Sequence, residues 1–560
     1  MTKRSRWTRV LVPLAALALV ATACGGSSSK STTATTSGGN AGKAPANAPG
    51  FDGSTITLGV VTPQTGIAAI IGKPLTNGNQ VFFDPSLYTA SGAPQVDPKT
   101  GNVIVGTGNP YDGMVIPGSG WPSIACGHGV TAACGTAYNG LFHNYPASYA
   151  NTTAQFQPRV GVAYSPTDKM VFRAGIGRYL TRFGLLDNVF PGANSPFQPF
   201  VTVANVSVDN PSASLGSAEQ AAITVTTIAR NLKPPSAWNW NFTVQRQTFW
   251  KSVVEVGYVG HRGLNVPEVL DINQPQAGTV VSGVNANYAR PYKGFAAIQM
   301  EVSAASSTYH SLQANWSRRF ANGFSFGASY TLSKSMDNSS NYRDIVPDTY
   351  NTANMWGPSE YDTRHIVAIS YVYTLPFFKD ASRMSGKLLG GWQISGVNQF
   401  QTGTPCGVFV SNDVAQVGEV GSLGCGQTSG QFAAVNGTPS ILGQFAGGAG
   451  ASSANQYFAT TNSSGQQIFT APATGTFNLQ SGVRGLIYQP GFQDWNLGLY
   501  KKFAINERHG FEFRAEAFDV NNHPNWSGVA SYNPTSPVFG KVTSKTGLAR
   551  NLQLSLRYAF

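Results

Sequence analysis

What most constrains the fold of this chain is a two-residue alternation that recurs from residue 159 to its end. In the last stretch, apolar side chains stand at Leu552, Leu554, Leu556, Tyr558 and Phe560, with Gln553, Ser555, Arg557 and Ala559 between them. Successive side chains of a strand point to opposite faces, so this spacing makes one apolar and one polar face. The same pattern returns in Val160, Val162, Tyr164 and, after a short turn, in Phe172, Ala174, Ile176. A second hairpin joins Trp238, Trp240, Phe242, Val244 to Val254, Val256, Tyr258. A third joins Leu312, Ala314, Trp316 through Asn322-Gly323 to Phe324, Phe326, Ala328, Tyr330, Leu332. With further candidates at 364–375, 391–402, 495–503 and 511–520, the periodicity predicts about eleven strands.

The connections between these strands alternate in length. Short ones are expected near 166, 250, 322, 380 and 507, and long ones across 181–235, 262–306, 336–361, 403–492 and 522–548. Tight turns at one end and long loops at the other are the plan of an outer-membrane barrel; sandwiches and jelly rolls do not collect every long connection at one end. Composition agrees, because 11% charged residues is far below the roughly 25% of soluble domains. The net charge of +12 raises nucleic acid as a partner, but past the N-terminus the basic residues are dispersed among polar alternates, so none is expected. The predicted fold is therefore all-β, a transmembrane antiparallel up-and-down β-barrel in the outer membrane of a Gram-negative type of cell. Outer-membrane lipid and the barrel-assembly machinery are its expected partners, with residues 552–560 as the assembly strand.

The chain before the strands divides into four pieces. In residues 1–24, Lys3, Arg4, Arg6 and Arg9 precede an apolar run too short to span a membrane, then Ala21-Thr22-Ala23-Cys24. This resembles a bacterial lipoprotein signal, with Cys24 the lipidation candidate; an ordinary signal peptide cut near Ala23 is the alternative. Residues 25–50 are a disordered Ser/Thr/Gly/Ala-rich linker by composition. Within 51–84, the stretches 54–66 and 72–80 resemble the opening strand and helix of branched-chain amino-acid-binding proteins of ABC importers. A lipid-anchored substrate-binding protein needs two complete α/β lobes, and no second βα unit follows. Residues 85–157 read as loop-rich, broken throughout by Gly and Pro, and 158–560 as the barrel.

Cys126 with Cys134 and Cys406 with Cys425 form two local pairs inside Gly-rich loops, and disulfides outside the cytoplasm are the expectation. Zinc is the rival, although the spacings are not CxxC and the nearby histidine, His128, serves one loop alone. No metalloprotease, nucleophile-elbow, P-loop or EF-hand pattern occurs, so neither an enzyme nor a cofactor is expected. Asp362-Thr-Arg-His365 reads as a hydrogen-bond network at the rim; Glu512, Arg514 and Glu516 read as paired charges on the inner face. Trp238, Trp240, Trp392 and Trp495 read as an interfacial girdle.

Finally, Pro158-Arg-Val-Gly-Val-Ala-Tyr164, the 238–246 and 254–263 segments, Asp271-Ile-Asn-Gln-Pro275, Tyr309-His-Ser-Leu-Gln313 and Tyr330-Thr-Leu-Ser-Lys-Ser335 resemble, in this order, the barrel of TonB-dependent receptors of the Oar-like kind. So do Asp362-Thr-Arg-His365, Gly390-Gly-Trp-Gln-Ile-Ser395, Thr402-Gly-Thr-Pro405, Phe513-Arg-Ala-Glu-Ala-Phe518 and Asn522-His-Pro-Asn525. The resemblance implies capture of a large, scarce solute (a glycan, peptide or metal chelate) by extracellular loops, with the TonB complex as partner. The family's N-terminal sandwich, plug and TonB-contact segment are not recognisable, and about eleven strands are half of the roughly 22 of plugged transporters, so an incomplete barrel is expected. Counting back from a periplasmic Phe560 places 85–157 outside the cell, whereas a lipoprotein segment belongs in the periplasm. The expectation is a join between the start of one protein and the C-terminal half of another. A surface barrel serving adhesion or structure is the remaining alternative.

Overall fold

The computed structural model describes residues 81–117, 143–145, 156–181, 194, 219–341, 345–378, 380, 383–418, 425, 430–442, 455–547 and 549–560. All belong to one compact unit, Thr62–Phe560. The signal segment with Cys24, the 25–50 linker, residues 51–80 of the importer-like piece and the Cys126/Cys134 pair lie outside the described residues.

Eleven strands form one continuous antiparallel path: β1 (Arg159–Thr167), β2 (Met170–Leu180), β3 (Ser236–Gln247), β4 (Ser252–Asp271), β5 (Phe295–Ala321), β6 (Phe324–Asp337), β7 (His365–Thr374), β8 (Gln393–Gln401), β9 (Phe492–Ala504), β10 (Gly510–Phe518) and β11 (Asn551–Ala559). Each pairs with its neighbours in chain order, as an up-and-down barrel wall requires. Ile223–Ile228 adds in parallel to β5, and Gly357–Pro358 adds to β6. The sheet is open: among the described residues no pairing joins β1 to β11. Among the described residues helices are short, and none is long and apolar enough to cross a membrane.

The tightest hairpin shows how local chemistry sets register. Asn322 and Gly323 both take positive φ, 53° and 79°, the pair of conformations a type I′ turn needs, and Ala321 then pairs with Phe324. The β3–β4 connection is similarly compact, built on Phe249–Lys251. The connection near 380 differs from expectation: it runs from 375 to 392 and carries the helix Met384–Leu389.

The 262–306 connection is corrected more sharply. β4 continues to Asp271 and β5 begins at Phe295, so the loop is only 272–294. Two things hide these extensions from a period-2 reading. Register shifts between Gly263, Val266 and Glu268 break the alternation, and the extended β5 segment buries residues from both faces, including Phe295, Ala297 and Ile298.

Nor are the long connections slack. Val81, Phe83, Tyr111, Met114 and Ile116 pack with Ile223, Val225, Phe295 and Ile298, so residues 81–117, the end of the importer-like 51–84 piece and the start of the loop-rich 85–157 segment, fold onto the β4–β5 extension. A larger core collects Val346, Met355, Cys406, Phe409, Phe432, Phe458, Phe469, Tyr532 and Phe539 from the connections after β6, β8 and β10. The buried core of the molecule therefore sits in this cap, whereas Leu552, Leu554 and Leu556 of the wall are 67%, 73% and 66% exposed.

Candidate functional site

The registers show what the wall presents. Val162 stands beside Ala174, Ala174 beside Phe242, Phe242 beside Tyr258, Tyr258 beside Leu312 and Leu312 beside Leu332. Tyr330 stands beside Val367, Val367 beside Phe400, Leu499 beside Ala515, and Ala515 beside Leu554. Side chains of paired residues share a face, so the apolar alternates of the eleven strands merge into one surface. On β6 it runs from Phe324 to Leu332, about 26 Å of strand at ~3.3 Å per residue. That matches the apolar band of a lipid-facing barrel wall.

Aromatic rings gather at the margins of this face. Trp316 meets Phe326 edge-on at 4.7 Å and Phe324 meets Tyr373 at 5.7 Å; farther along, Phe400 meets Trp495 at 4.9 Å. Trp238 and Trp240 pair with Arg262 and Gly260, and Trp392 packs near Phe503 and Phe513. Sequence reasoning missed a repeated Tyr–His pair. Tyr258 hydroxyl lies 2.7 Å from His310 Nδ1, Tyr330 2.9 Å from His365 Nδ1, and Tyr558 2.7 Å from His509 Nδ1, each with stacked rings. The partners come from different strands or turns, and only the register brings them together.

The opposite face carries Ser, Thr, Gly, Asn and Gln with paired charges. Glu512, Arg514 and Glu516 lie on it, as the alternation predicts: Arg514 pairs with Glu512, Lys502 Nζ is 3.7 Å from Glu512, and the Tyr500 hydroxyl donates to Glu516 at 2.7 Å. At the other end of the sheet, Arg173 donates to Gln245 at 2.7 Å and lies 3.8 Å from Glu255. This face can line an aqueous lumen.

Buried ion pairs tie the cap to the strands. Arg290 from the 272–294 loop meets Asp271 at 2.8 Å, and the same carboxylate accepts the amide N–H groups of Asn273 and Ile298 at 3.0 and 2.9 Å. Arg484 meets Asp337 at 2.6 Å and donates also to the Met355 carbonyl and the Ser340 hydroxyl, at 3.0 and 2.7 Å. Asp362, from the predicted rim network, is buried. It accepts from the Ser335 amide at 2.6 Å and the Tyr488 hydroxyl at 2.9 Å, with Lys334 3.3 Å away, while His365 stays exposed at the start of β7. Cys406 and Cys425 are joined by a disulfide with Cα atoms 6.0 Å apart, and Cys406 sits in the cap core. Glu268, on the β4 extension beyond the apolar band, is 1% exposed and one carboxylate oxygen has no hydrogen-bond partner; burial pushes its acid up to about 7 against the pull of Arg484. Phe560 is 90% exposed, its ring stacked beside Tyr558.

The family model described as "Outer membrane beta barrel domain" matches residues 72–553, beginning inside the importer-like 51–84 stretch. No curated protein matches the sequence. Among solved structures, the outer membrane transporter YddB from Escherichia coli is 10% identical, with a TM-score of 0.34 over 70% of this chain and 38% of that one. The FrpB iron transporter of Neisseria meningitidis (F5-1 variant) is 11% identical, with a TM-score of 0.35 over 72% and 39%. The ferripyoverdine receptor of Pseudomonas aeruginosa is 10% identical, with a TM-score of 0.34 over 73% and 33%. This chain thus spans less than two fifths of the length of each, and at such scores the likenesses carry no functional argument. The family match, joined to a strand wall with one continuous apolar face, settles the assignment: the chain belongs to the outer membrane β-barrel domain family, and its place is the outer membrane.

Proposed function

We propose that this chain is the barrel wall and cap of a receptor or transporter of the TonB-dependent, Oar-like kind, which binds or takes up a large, scarce solute. The observation that carries the reading is the pairing of a polar, charge-lined face with a folded cap: a passive pore needs only the first, whereas a receptor needs a pre-organised surface above it. The sequence resemblance supplies the TonB-dependent class. On this reading Cys24 bears the lipid anchor, Cys126 bonds with Cys134, residues 552–560 are what the barrel-assembly machinery recognises, and the protein catalyses no reaction.

The test is saturable binding and uptake of ferric chelates, glycans and peptides by cells expressing the full chain, with and without TonB. The expected result is saturable binding, with accumulation above the external concentration only when TonB is present. Binding without accumulation would remove transport and leave a receptor. Non-selective flux of small sugars with no saturable binding would contradict both, and attachment to surfaces in its place would favour the adhesive barrel.

A further inference from the structure

We propose that the apolar face of the wall carries a docking site for the phosphorylated headgroup of an outer-leaflet glycolipid. The site lies where β6, β7, β8 and β9 run into the cap. Two cavities of about 550 and 740 Å³ adjoin there, sharing His365, Gln401, Thr402, Tyr457 and Gly491.

Register fixes the depth. The apolar row on β6 runs unbroken from Phe324 to Leu332, and Lys334, the next residue on the same face, opposite His310, interrupts it. His365 stands beside Leu332, and one row deeper Tyr330, Val367, Phe400 and Gln493 stand side by side across β6, β7, β8 and β9. Along β6 the first positive charge on this face thus comes just past a strip about the thickness of the hydrocarbon core, where lipid headgroups lie.

The chemistry suits a phosphate joined to acyl chains. Lys334 Nζ is held at this position by the Tyr488 hydroxyl, 2.7 Å away, and by the buried Asp362. Asp362 offsets Lys334, so the net positive charge comes from exposed Arg364, with His365 and His523 as further donors and Lys545 5.3 Å over the Trp526 ring. Among the described residues no carboxylate lines either cavity. A second, independent observation points the same way: His523 lines the cavity with a ring Nδ1 that is buried and has no hydrogen-bond partner. A buried ring nitrogen without a partner is costly, and in the tautomer that carries its proton a phosphate oxygen satisfies it. Val367, Phe400, Ile441 and Trp526 supply the apolar wall for the proximal chain. A soluble anion would gain nothing from these residues, which is what favours a lipid.

The proposal uses only the membrane placement of the wall, so its failure would leave the solute-uptake reading standing. Native mass spectrometry of the full chain in detergent would compare a bisphosphorylated glycolipid, its dephosphorylated counterpart and inorganic phosphate. The bisphosphorylated lipid should bind about tenfold more tightly than the dephosphorylated one, and Arg364→Gln with His523→Gln should erase that difference. Equal affinity of the wild-type chain for the two lipids overturns the proposal without recourse to any variant. Displacement of the lipid by inorganic phosphate at similar affinity overturns the lipid assignment in favour of a soluble anion.

Discussion

Arg484 joins three segments of the cap from a position no motif marks. Its guanidinium reaches Asp337 at the end of β6, the Met355 carbonyl and the Ser340 hydroxyl, and both charged groups are almost fully buried. Removing one partner of such a pair strands the other charge away from water. Arg484→Met should therefore destabilise the cap by about 3–5 kcal/mol, read as faster proteolysis of the 403–491 connection with the wall intact. Glu268 works differently. Its acid is raised from 4.5 to about 7 because burial disfavours the carboxylate. A raised folded-state value means the contribution to stability is complete below 4.5 and is lost as pH rises through about 7. The cap should melt at a higher temperature at pH 5 than at pH 8, and Glu268→Gln should flatten the difference; an unchanged slope in that variant would remove Glu268 as the cause.

Among the elements, those facing lipid were the legible ones. Phe324, Phe326, Ala328, Tyr330 and Leu332 declare β6 because one side of the strand meets hydrocarbon and the other meets water, and Asn322-Gly323 declares its turn. The β4 and β5 extensions and the parallel strand Ile223–Ile228 were not legible, because cap residues cover them and bulges reset the period. The cap core was missed for a related reason. Phe458, Phe469 and Phe539 stand in Gly- and Ser-rich sequence with no period-2 pattern around them, and they meet only through contacts distant in the chain. Of the candidate site, Glu512, Arg514 and Glu516 could be placed by parity, whereas the Tyr–His pairs and Arg484 depend on register and on loop folding. The two faces also predict a contrast. Ala328→Arg, near the middle of the apolar face, should cost about 2–4 kcal/mol in unfolding from lipid vesicles, while Ser329→Arg on the polar face should cost little.

For the whole molecule, the open sheet sets the question of closure. With eleven strands alternating in direction, β1 and β11 run the same way, so pairing them would be parallel, unlike every other adjacent pair on the path. Their apolar side chains are bare, with Val160 66% and Leu554 73% exposed, and in hydrocarbon an unpaired strand edge is costly. However these edges are covered, one face of the wall meets lipid and the other meets water. The most direct test places single cysteines from Phe324 to Leu332 in the full chain, within outer membranes, and measures spin-label accessibility to oxygen and to a water-soluble nickel chelate. Even-numbered positions should favour oxygen and odd-numbered positions the chelate, alternating across the whole strand. Uniform chelate access on both faces, or recovery of the chain in the soluble fraction, would contradict the account.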